Sequence, residues 1–380
     1  MAFQNLYIHF PFCRQKCLHC SFFSYPLNSQ EELSNFFKVL ELEIELYSQL
    51  FSGQSIETLY LGGGTPSLIP PYHLARLLEK VNNIFPFQPS CEITIEANPE
   101  DLSYDYLRAI SSAGVNRLSV GWPSSFAGHL RALGRNEHLT FLADKLDIIR
   151  RAKITNINID LIYGLPGQTM LQWEKNLLEV CRAAPKHISV YGLHLEEDVP
   201  LKKLLLQKKV AATPDEDTLL GMMLLAREIL SSNKYLHYEI ANYALPGYQS
   251  NHNMSYWQNK TYLALGPGAH GYLYCCRYAN YCSWQQYKDS LLKRIFPCSQ
   301  KERISRKRAM EEEMMLGLRL LEGISRQQFL QKYGLDPLHL FQTSILMLKE
   351  QGLLEVNDDK IKLTAKGLPL ANLVFQEFIT

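Results

Sequence analysis

Short β-branched, apolar runs alternate with amphipathic helical runs along the first half of the chain. The pattern predicts strands at residues 6–10, 58–62, 92–96, 117–121, 156–163 and 187–192. Helices are predicted between them, at residues 29–53, 72–85, 103–113, 139–152 and 169–183. The first of these begins with Ser29 and Glu32 spaced as a capping box and ends at Gly53.

Repeated steps from strand to helix predict a parallel sheet with right-handed crossovers. Six strands are too few to close a standard eight-stranded barrel. The expected fold class is therefore α/β, with an open, partial (β/α)6 barrel as its core. Ligands of such sheets bind at the C-terminal ends of the strands, so candidate functional residues are sought there.

The pattern changes after about residue 200. Helices are predicted at residues 217–231, 306–321, 326–333 and 337–351, followed by a hairpin at 353–364 and a last helical run. This order resembles a winged-helix module. Because Asp358 and Asp359 lie at its turn, we interpret it as a small α+β cap on the barrel mouth rather than as a DNA-binding unit. We predict two domains, residues 1–240 and 241–380.

Composition and charge narrow the classes of function. Of 380 residues, 46% are hydrophobic and 20% charged, and the net charge is +1, which gives no bulk electrostatic reason to bind nucleic acid or anionic membranes. No apolar run is long enough to span a membrane, and no export signal precedes the first predicted strand. We therefore expect a cytoplasmic protein whose nine cysteines are thiols rather than disulfides.

Three cysteines, Cys13, Cys17 and Cys20, lie within eight residues on the loop after the first predicted strand. A structural zinc site normally has four ligands, whereas an iron–sulfur cubane with three thiolates keeps one iron open. On spacing alone, a partial zinc knuckle and three clustered buried thiols remain alternatives. Among the other cysteines, Cys275, Cys276 and Cys282 match no ligand spacing.

Other candidate residues lie at or near the predicted C-terminal ends of the strands. A run of three glycines before Thr65 would let a ligand approach the backbone closely and would expose N–H groups to it. An acidic or basic residue at such a position is costly unless it is partnered. Taken alone, each charged candidate would be interpreted as part of a structural ion pair or as a solvated loop charge. As a set on one face of the sheet, the candidates predict a site for a polar ligand. The candidates are Gly63, Gly64, Thr65, Glu96, Arg135 and Asp160, with Tyr7 as a cofactor contact or a core tyrosine.

Five motifs occur in a fixed order along the chain: YIHFPFCRQKCLHC, GGGTPS, IEANP, LGRN and IDLIYGLPGQT. They resemble those of the radical S-adenosylmethionine (SAM) superfamily and, within it, of the oxygen-independent coproporphyrinogen III oxidases and their paralogues, the HemW heme chaperones. The resemblance implies a [4Fe–4S] cluster on Cys13, Cys17 and Cys20, with SAM on the open iron. It also implies that SAM contacts Tyr7, Gly63, Gly64, Thr65, Glu96, Arg135 and Asp160.

One position departs from the family pattern. The family usually has a glutamine that contacts SAM after the fourth strand, where this chain has Pro123. Proline cannot donate a hydrogen bond, so the affinity or geometry of SAM binding is expected to differ.

Three features favour the chaperone over the oxidase. The oxidase typically has a further cysteine two residues after the third, but here Ser21 and Phe22 follow Cys20. The oxidase also has a longer segment before its cysteines. The motif from His252 to Trp257, HNMSYW, is similar to one of the chaperone group.

The resemblance implies that this chain binds heme, with His252 as or beside the iron ligand and Tyr256 and Trp257 stacked on the porphyrin. A buried histidine with aromatic packing is the structural alternative. The expected partners are an unidentified heme-acceptor protein and an electron donor for the cluster, without nucleic acid. A coproporphyrinogen III oxidase is the alternative function, and a radical SAM enzyme with another substrate is a third.

Overall fold

Seventeen strands are present in the described residues, 3–136 and 141–379, of the computed structural model. In chain order they are β1 (Asn5–Phe10), β2 (Phe12–Cys13), β3 (Tyr25–Pro26), β4 (Ile56–Gly63), β5 (Phe87–Ala97), β6 (Arg117–Gly121), β7 (Asn156–Tyr163), β8 (His187–Gly192), β9 (Leu236–His237), β10 (Asn242–Ala244), β11 (Tyr262–Leu265), β12 (His270–Leu273), β13 (Cys276–Asn280), β14 (Cys298–Arg303), β15 (Ile324–Ser325), β16 (Leu354–Val356) and β17 (Lys360–Leu363).

Helices connect most of these strands. They are α1 (Gln30–Phe51), α2 (Pro71–Ile84), α3 (Tyr104–Ser112), α4 (Ala127–Ala132), α5 (Leu142–Arg151), α6 (Met170–Ala183), α7 (Pro200–Leu206), α8 (Glu216–Ser232), α9 (Asn251–Trp257), α10 (Trp284–Leu292), α11 (Arg306–Gly317), α12 (Arg326–Tyr333), α13 (Pro337–Leu340), α14 (Gln342–Glu350) and α15 (Ala371–Gln376). The first two residues of the helix predicted at 139–152 lie outside the described residues.

The main sheet contains the predicted partial barrel. Strands β1, β4, β5, β6, β7 and β8 are neighbours in this order and pair in parallel, which confirms the predicted core. The sheet extends further than the sequence predicted: β11 adds another parallel strand beside β1, and antiparallel strands follow at both edges. The complete order is β14-β13-β12-β11-β1-β4-β5-β6-β7-β8-β10-β9.

Along the barrel strands, successive side chains point alternately outward, into an apolar layer, and inward, into a polar interior. In β1, Leu6 and Phe10 are fully buried in the main hydrophobic core, and Phe10 packs on Phe36 of α1. The alternate residues Asn5 and Tyr7 instead share a face with polar side chains of β4, since Asn5 pairs with Thr58 and Tyr7 with Tyr60. The barrel therefore encloses a column of hydrogen-bonding groups.

The C-terminal residues form a second hydrophobic core that begins at Met310. Helices α11, α12, α14 and α15 pack there with the small sheet β15-β17-β16, as the winged-helix-like prediction requires. Residues 337–351 form two helices separated at Phe341 rather than one. No break in the main sheet marks the predicted boundary at 240, because pairing continues to Arg303.

The predicted position of this cap is wrong. The cap contacts the turn after α9, where Asn259 donates a hydrogen bond to Glu313 (3.1 Å). A cavity beside this contact is lined by Asn5, Asn259 and Lys332, and Asn5 begins β1. The cap therefore lies near the N-terminal ends of the barrel strands, opposite the mouth. The sequence pattern of these helices and the hairpin does not indicate which end of the barrel the cap will cover.

Candidate functional site

The cysteine loop leaves β1 at the C-terminal end of the sheet, as predicted. The pairing of Phe12 with Tyr25 closes the loop, and the amide of Cys20 donates to the carbonyl of Cys17 (3.2 Å). Cys13 is buried and the other two thiols are partly exposed, and none forms a disulfide. Burial raises the pKa of the Cys17 thiol, while the nearby Arg135 charge acts against that rise. The loop thus presents three reduced thiols near a cation.

Within residues 3–136 and 141–379, no ready-made site for a single metal ion is found around these thiols. Among the described residues, no three histidine, cysteine or acidic side chains are arranged to hold one metal ion. A [4Fe–4S] cluster differs in that each thiolate binds a different iron. The three cysteines remain the predicted cluster ligands.

The glycine run packs directly against the cysteine loop. A Cβ atom at Gly64 would lie 2.4 Å from the carbonyl oxygen of Phe12, and Gly63 has a φ of +112°, so larger residues would be strained at both positions. The expectation of exposed N–H groups is wrong. The amides of Gly63, Gly64 and Thr65 donate to Glu96, Phe10 and Phe12, so these N–H groups are already used within the protein.

Glu96, near the end of β5, is the acidic group of this mouth. Its Oε1 accepts from the hydroxyl of Tyr60 (2.8 Å) and its Oε2 from the amide of Gly63 (3.1 Å). Burial raises the pKa of Glu96 to about 7, and the negative charge of Asp160 adds to the shift. Glu96 is thus a carboxyl group that changes charge near neutral pH.

Arg135 is connected to the cysteine loop by its neighbours. The carbonyl of Leu133 accepts from the amide of Leu18 (2.9 Å), and a Cβ atom at Gly134 would lie 2.8 Å from Leu18 Cγ. The Arg135 guanidinium donates to Oδ1 of Asn98 (2.5 Å). The structure therefore brings Arg135 close to both the thiols and the residues after β5.

Asp160 lies next to β6 inside the barrel, opposite Gly121. Its two carboxylate oxygens accept from the hydroxyl of Ser119 and the amide of Asn158, each at 2.9 Å. Burial raises its pKa. Pro123 is buried, and its carbonyl accepts from the amide of Ile162 (3.1 Å), which connects the segment after β6 to β7.

Tyr7 lies beneath this mouth on β1. Its hydroxyl is hydrogen-bonded to Nδ1 of His9 (2.9 Å), and its ring stacks on Tyr60 with centroids 6.2 Å apart. His9 on β1 and Tyr60 on β4 were not predicted from the sequence as site residues, and neither was Asn98, which follows β5. Polar or aromatic residues at every second position of β1 and β4 were the available signal, since such positions face the barrel interior.

His252 is far from the cysteine loop along the barrel. It lies on α9, and its Nδ1 is hydrogen-bonded to the hydroxyl of Thr58 (2.7 Å), near the start of β4. Its Nε2 is hydrogen-bonded to Tyr256 (2.8 Å), and the residue is only 1% exposed. Burial lowers the pKa of His252 to about 3, so the imidazole is neutral.

The whole start of α9 is fixed to the barrel interior. Glu92 accepts hydrogen bonds from the amides of Asn251 (3.2 Å) and His252 (3.1 Å). This arrangement matches the structural alternative for the motif, a buried histidine with aromatic packing. His252 can ligate heme iron only if α9 separates from Thr58 or Tyr256 turns away, because both ring nitrogens are occupied.

The chain is similar to known proteins over nearly its whole length. The family model described as "Radical SAM superfamily" matches residues 7–180, and the "HemN C-terminal domain" model matches residues 304–370. The heme chaperone HemW of Bacillus subtilis strain 168 is 32% identical over 378 residues, which are 99% of this chain and 99% of that protein. HemW of Lactococcus lactis is 34% identical over 377 residues, covering 99% of this chain and 97% of that one.

A solved structure supports the fold. Coproporphyrinogen III oxidase (HemN) from Escherichia coli, described as a radical SAM enzyme, superposes with a TM-score of 0.88. The alignment covers 100% of this chain and 90% of that one at 24% identity, which shows a shared fold. None of the described helices is long and apolar enough to cross a membrane.

Proposed function

Because the chain belongs to the HemW heme chaperone family of the radical SAM superfamily, we propose that it binds heme and transfers it to an acceptor protein. The observation that carries this proposal is full-length similarity at 32% and 34% identity to relatives named heme chaperones. The HNMSYW motif around His252 and the absence of cysteine at positions 21 and 22 agree with it.

Membership of the superfamily implies a [4Fe–4S] cluster and SAM. We assign the cluster to Cys13, Cys17 and Cys20, because they are reduced thiols on one loop at the barrel mouth. A reduced cluster held there would supply an electron to SAM. The three cysteines would hold the cluster, and Arg135 is close enough to offset the charge of their thiolates.

Each proposed SAM contact can be assigned to the chemical group of SAM that it suits. Carbonyl oxygens of the Gly63–Thr65 segment suit the ammonium group of SAM, since the amides of this segment are already used. The buried carboxyl groups of Glu96 and Asp160 suit hydroxyl donors, such as those of the ribose. Arg135 suits the carboxylate, and Tyr7 supports the site through His9 and Tyr60.

Transfer requires partners of defined chemistry. The acceptor is a protein that binds heme more tightly than this chain does, and a one-electron reductant must serve the cluster. The near-balanced charge of +1 gives no support for a nucleic-acid partner. A cytoplasmic location is our proposal, since it would keep the cluster thiols reduced.

The alternative function is oxygen-independent coproporphyrinogen III oxidase. It would require abstraction of hydrogen from propionate side chains and loss of carbon dioxide. Parallel assays on the anaerobically reconstituted protein separate the two functions. We expect a heme Soret band on titration and no decarboxylation of coproporphyrinogen III. Decarboxylation by the wild type would overturn the chaperone proposal.

A further inference from the structure

A second candidate site lies at the edge of the main sheet, away from the residues assigned above. The end of α1 and the strands β12, β13 and β14 enclose a cavity of 420 Å³, a volume typical of cofactor pockets. Its walls are mainly aromatic and aliphatic, and they include Tyr47, Phe51, Tyr274 and Phe296. No residue of the cluster or SAM site contributes to it.

The hairpin between β12 and β13 turns at this cavity. Tyr274 and Cys275 have φ angles of +49° and +56°, in the left-handed region. The turn holds the ring of Tyr274 stacked on Phe51, yet Tyr274 remains 70% exposed and the adjacent Leu50 61% exposed. Such positive φ angles are normal for a two-residue hairpin turn, so the observation that points to a ligand is the pair of large apolar side chains exposed side by side.

A β-bulge brings a thiol to the same wall. Cys276 pairs with Arg303, Tyr278 with Lys301, and Asn280 with Cys298, which leaves Ser299 as the extra residue. In a regular strand, successive side chains point to opposite faces of the sheet, so without the bulge Cys298 and Lys301 would lie on different faces. With it, Cys276 and Cys298 both line the cavity.

Two cations stand at the rim. Lys301 and Arg303 line the cavity and are exposed, and neither forms an ion pair with any residue in the described ranges 3–136 and 141–379. Unpaired cations beside an apolar pocket suit a ligand that carries carboxylate groups. Burial raises the pKa of the Cys298 thiol, while a hydrogen bond to the backbone of Gln300 and the charge of Lys301 act against that rise.

We propose, on the basis of the chaperone function above, that this pocket is where the protein holds heme. The macrocycle lies against Phe51 and Tyr274, Lys301 and Arg303 bind the two propionates, and a thiolate of Cys276 or Cys298 ligates the iron. The thiol proton is released to solvent on ligation. Thiolate is an established axial ligand of heme, and the apolar wall matches the porphyrin ring.

The test is a pair of titrations of the full-length, reconstituted protein, one with hemin and one with metal-free protoporphyrin IX. The first double variant (the cysteine variant) replaces both pocket thiols, Cys276→Ser and Cys298→Ser, and its control is Cys282→Ser, which replaces an exposed thiol outside the pocket. The second double variant (the charge variant) reverses both rim charges, Lys301→Glu and Arg303→Glu. Its control, Lys38→Glu with Lys349→Glu, changes the net charge by the same amount. Thermal melting of each variant verifies that it is folded.

The two double variants should lose different parts of porphyrin binding. The cysteine variant should shift the Soret band and bind hemin about tenfold more weakly, but should still bind metal-free porphyrin. The charge variant should bind both porphyrins about tenfold more weakly, while both controls behave as wild type. If wild type binds hemin and all variants titrate like their controls, the pocket is overturned and the chaperone proposal stands. If wild type binds no hemin, the proposed function itself fails.

Discussion

The imidazole of His252 stacks on the ring of Tyr60 with 5.1 Å between centroids. The hydroxyl of Tyr60 then donates to Oε1 of Glu96 at the barrel mouth. A single side chain therefore connects the HNMSYW motif, at the N-terminal end of the barrel strands, to the carboxyl group proposed to bind SAM. This contact gives the motif a structural role that requires no heme ligation.

Replacing His252 tests that role. His252→Ala removes two hydrogen bonds and leaves a buried cavity, so we expect the free energy of unfolding to fall by about 2–4 kcal/mol. Chemical denaturation measures the loss. We also expect the Soret band of bound heme to keep its position, because both ring nitrogens are occupied by Thr58 and Tyr256. A shifted Soret band with unchanged stability would instead place His252 on the iron.

Cys17→Ala should abolish the intact [4Fe–4S] cluster. The remaining two thiolates cannot hold three irons, so iron and sulfide content after anaerobic reconstitution should drop strongly. Cys282→Ala provides the control, since Cys282 is exposed and belongs to neither proposed site. Cluster content equal to wild type in Cys17→Ala would exclude the assignment.

SAM affinity should depend on pH through Glu96. The pKa of this carboxyl is raised to about 7 by burial, so it is protonated below that pH and ionised above it. The ionised form accepts hydrogen bonds from hydroxyl groups more strongly, and we expect binding to weaken as pH falls from 8 to 6 by up to about tenfold per unit. Calorimetry on wild type and Glu96→Gln measures this. The variant should show little pH dependence, and parallel profiles would remove Glu96 from the site.

Pro123 should weaken SAM binding without preventing it. The other proposed contacts remain, and one lost hydrogen bond corresponds to about 1 kcal/mol, or several-fold in affinity. Pro123→Gln should therefore tighten binding several-fold in anaerobic calorimetry. The carbonyl of residue 123 can still accept from Ile162, so the strand contact should survive. Failure of both forms to bind SAM would refute the site.

The sequence predicted the elements that depend on local periodicity. The six parallel strands, the cysteine loop after β1 and the positions of Glu96 and Asp160 on the barrel strands all follow from apolar alternation. The edges of the sheet could not be predicted in the same way. Strands such as β9 and β10 have two or three residues, and tertiary pairing rather than local propensity makes them strands.

The hydrogen-bond partners inside the barrel could not be predicted from the sequence either. The motif around His252 indicated chemistry, but only the fold shows that Thr58 and Tyr256 occupy its ring nitrogens. The bulge at Ser299 likewise cannot be read from residue types, and it decides which face Cys298 occupies. Both features depend on contacts between residues distant in the chain.

A heme-transfer assay is the most direct test of the proposed chaperone function. The reconstituted protein would be loaded with heme and mixed with a heme-free acceptor protein whose holo form has a distinct Soret band. We expect heme to leave this chain and appear in the acceptor faster than hemin leaves a non-specific carrier such as serum albumin. We also expect no decarboxylation of coproporphyrinogen III by the same preparation. Retention of all heme by the loaded protein, or robust decarboxylation, would contradict the proposed chaperone function.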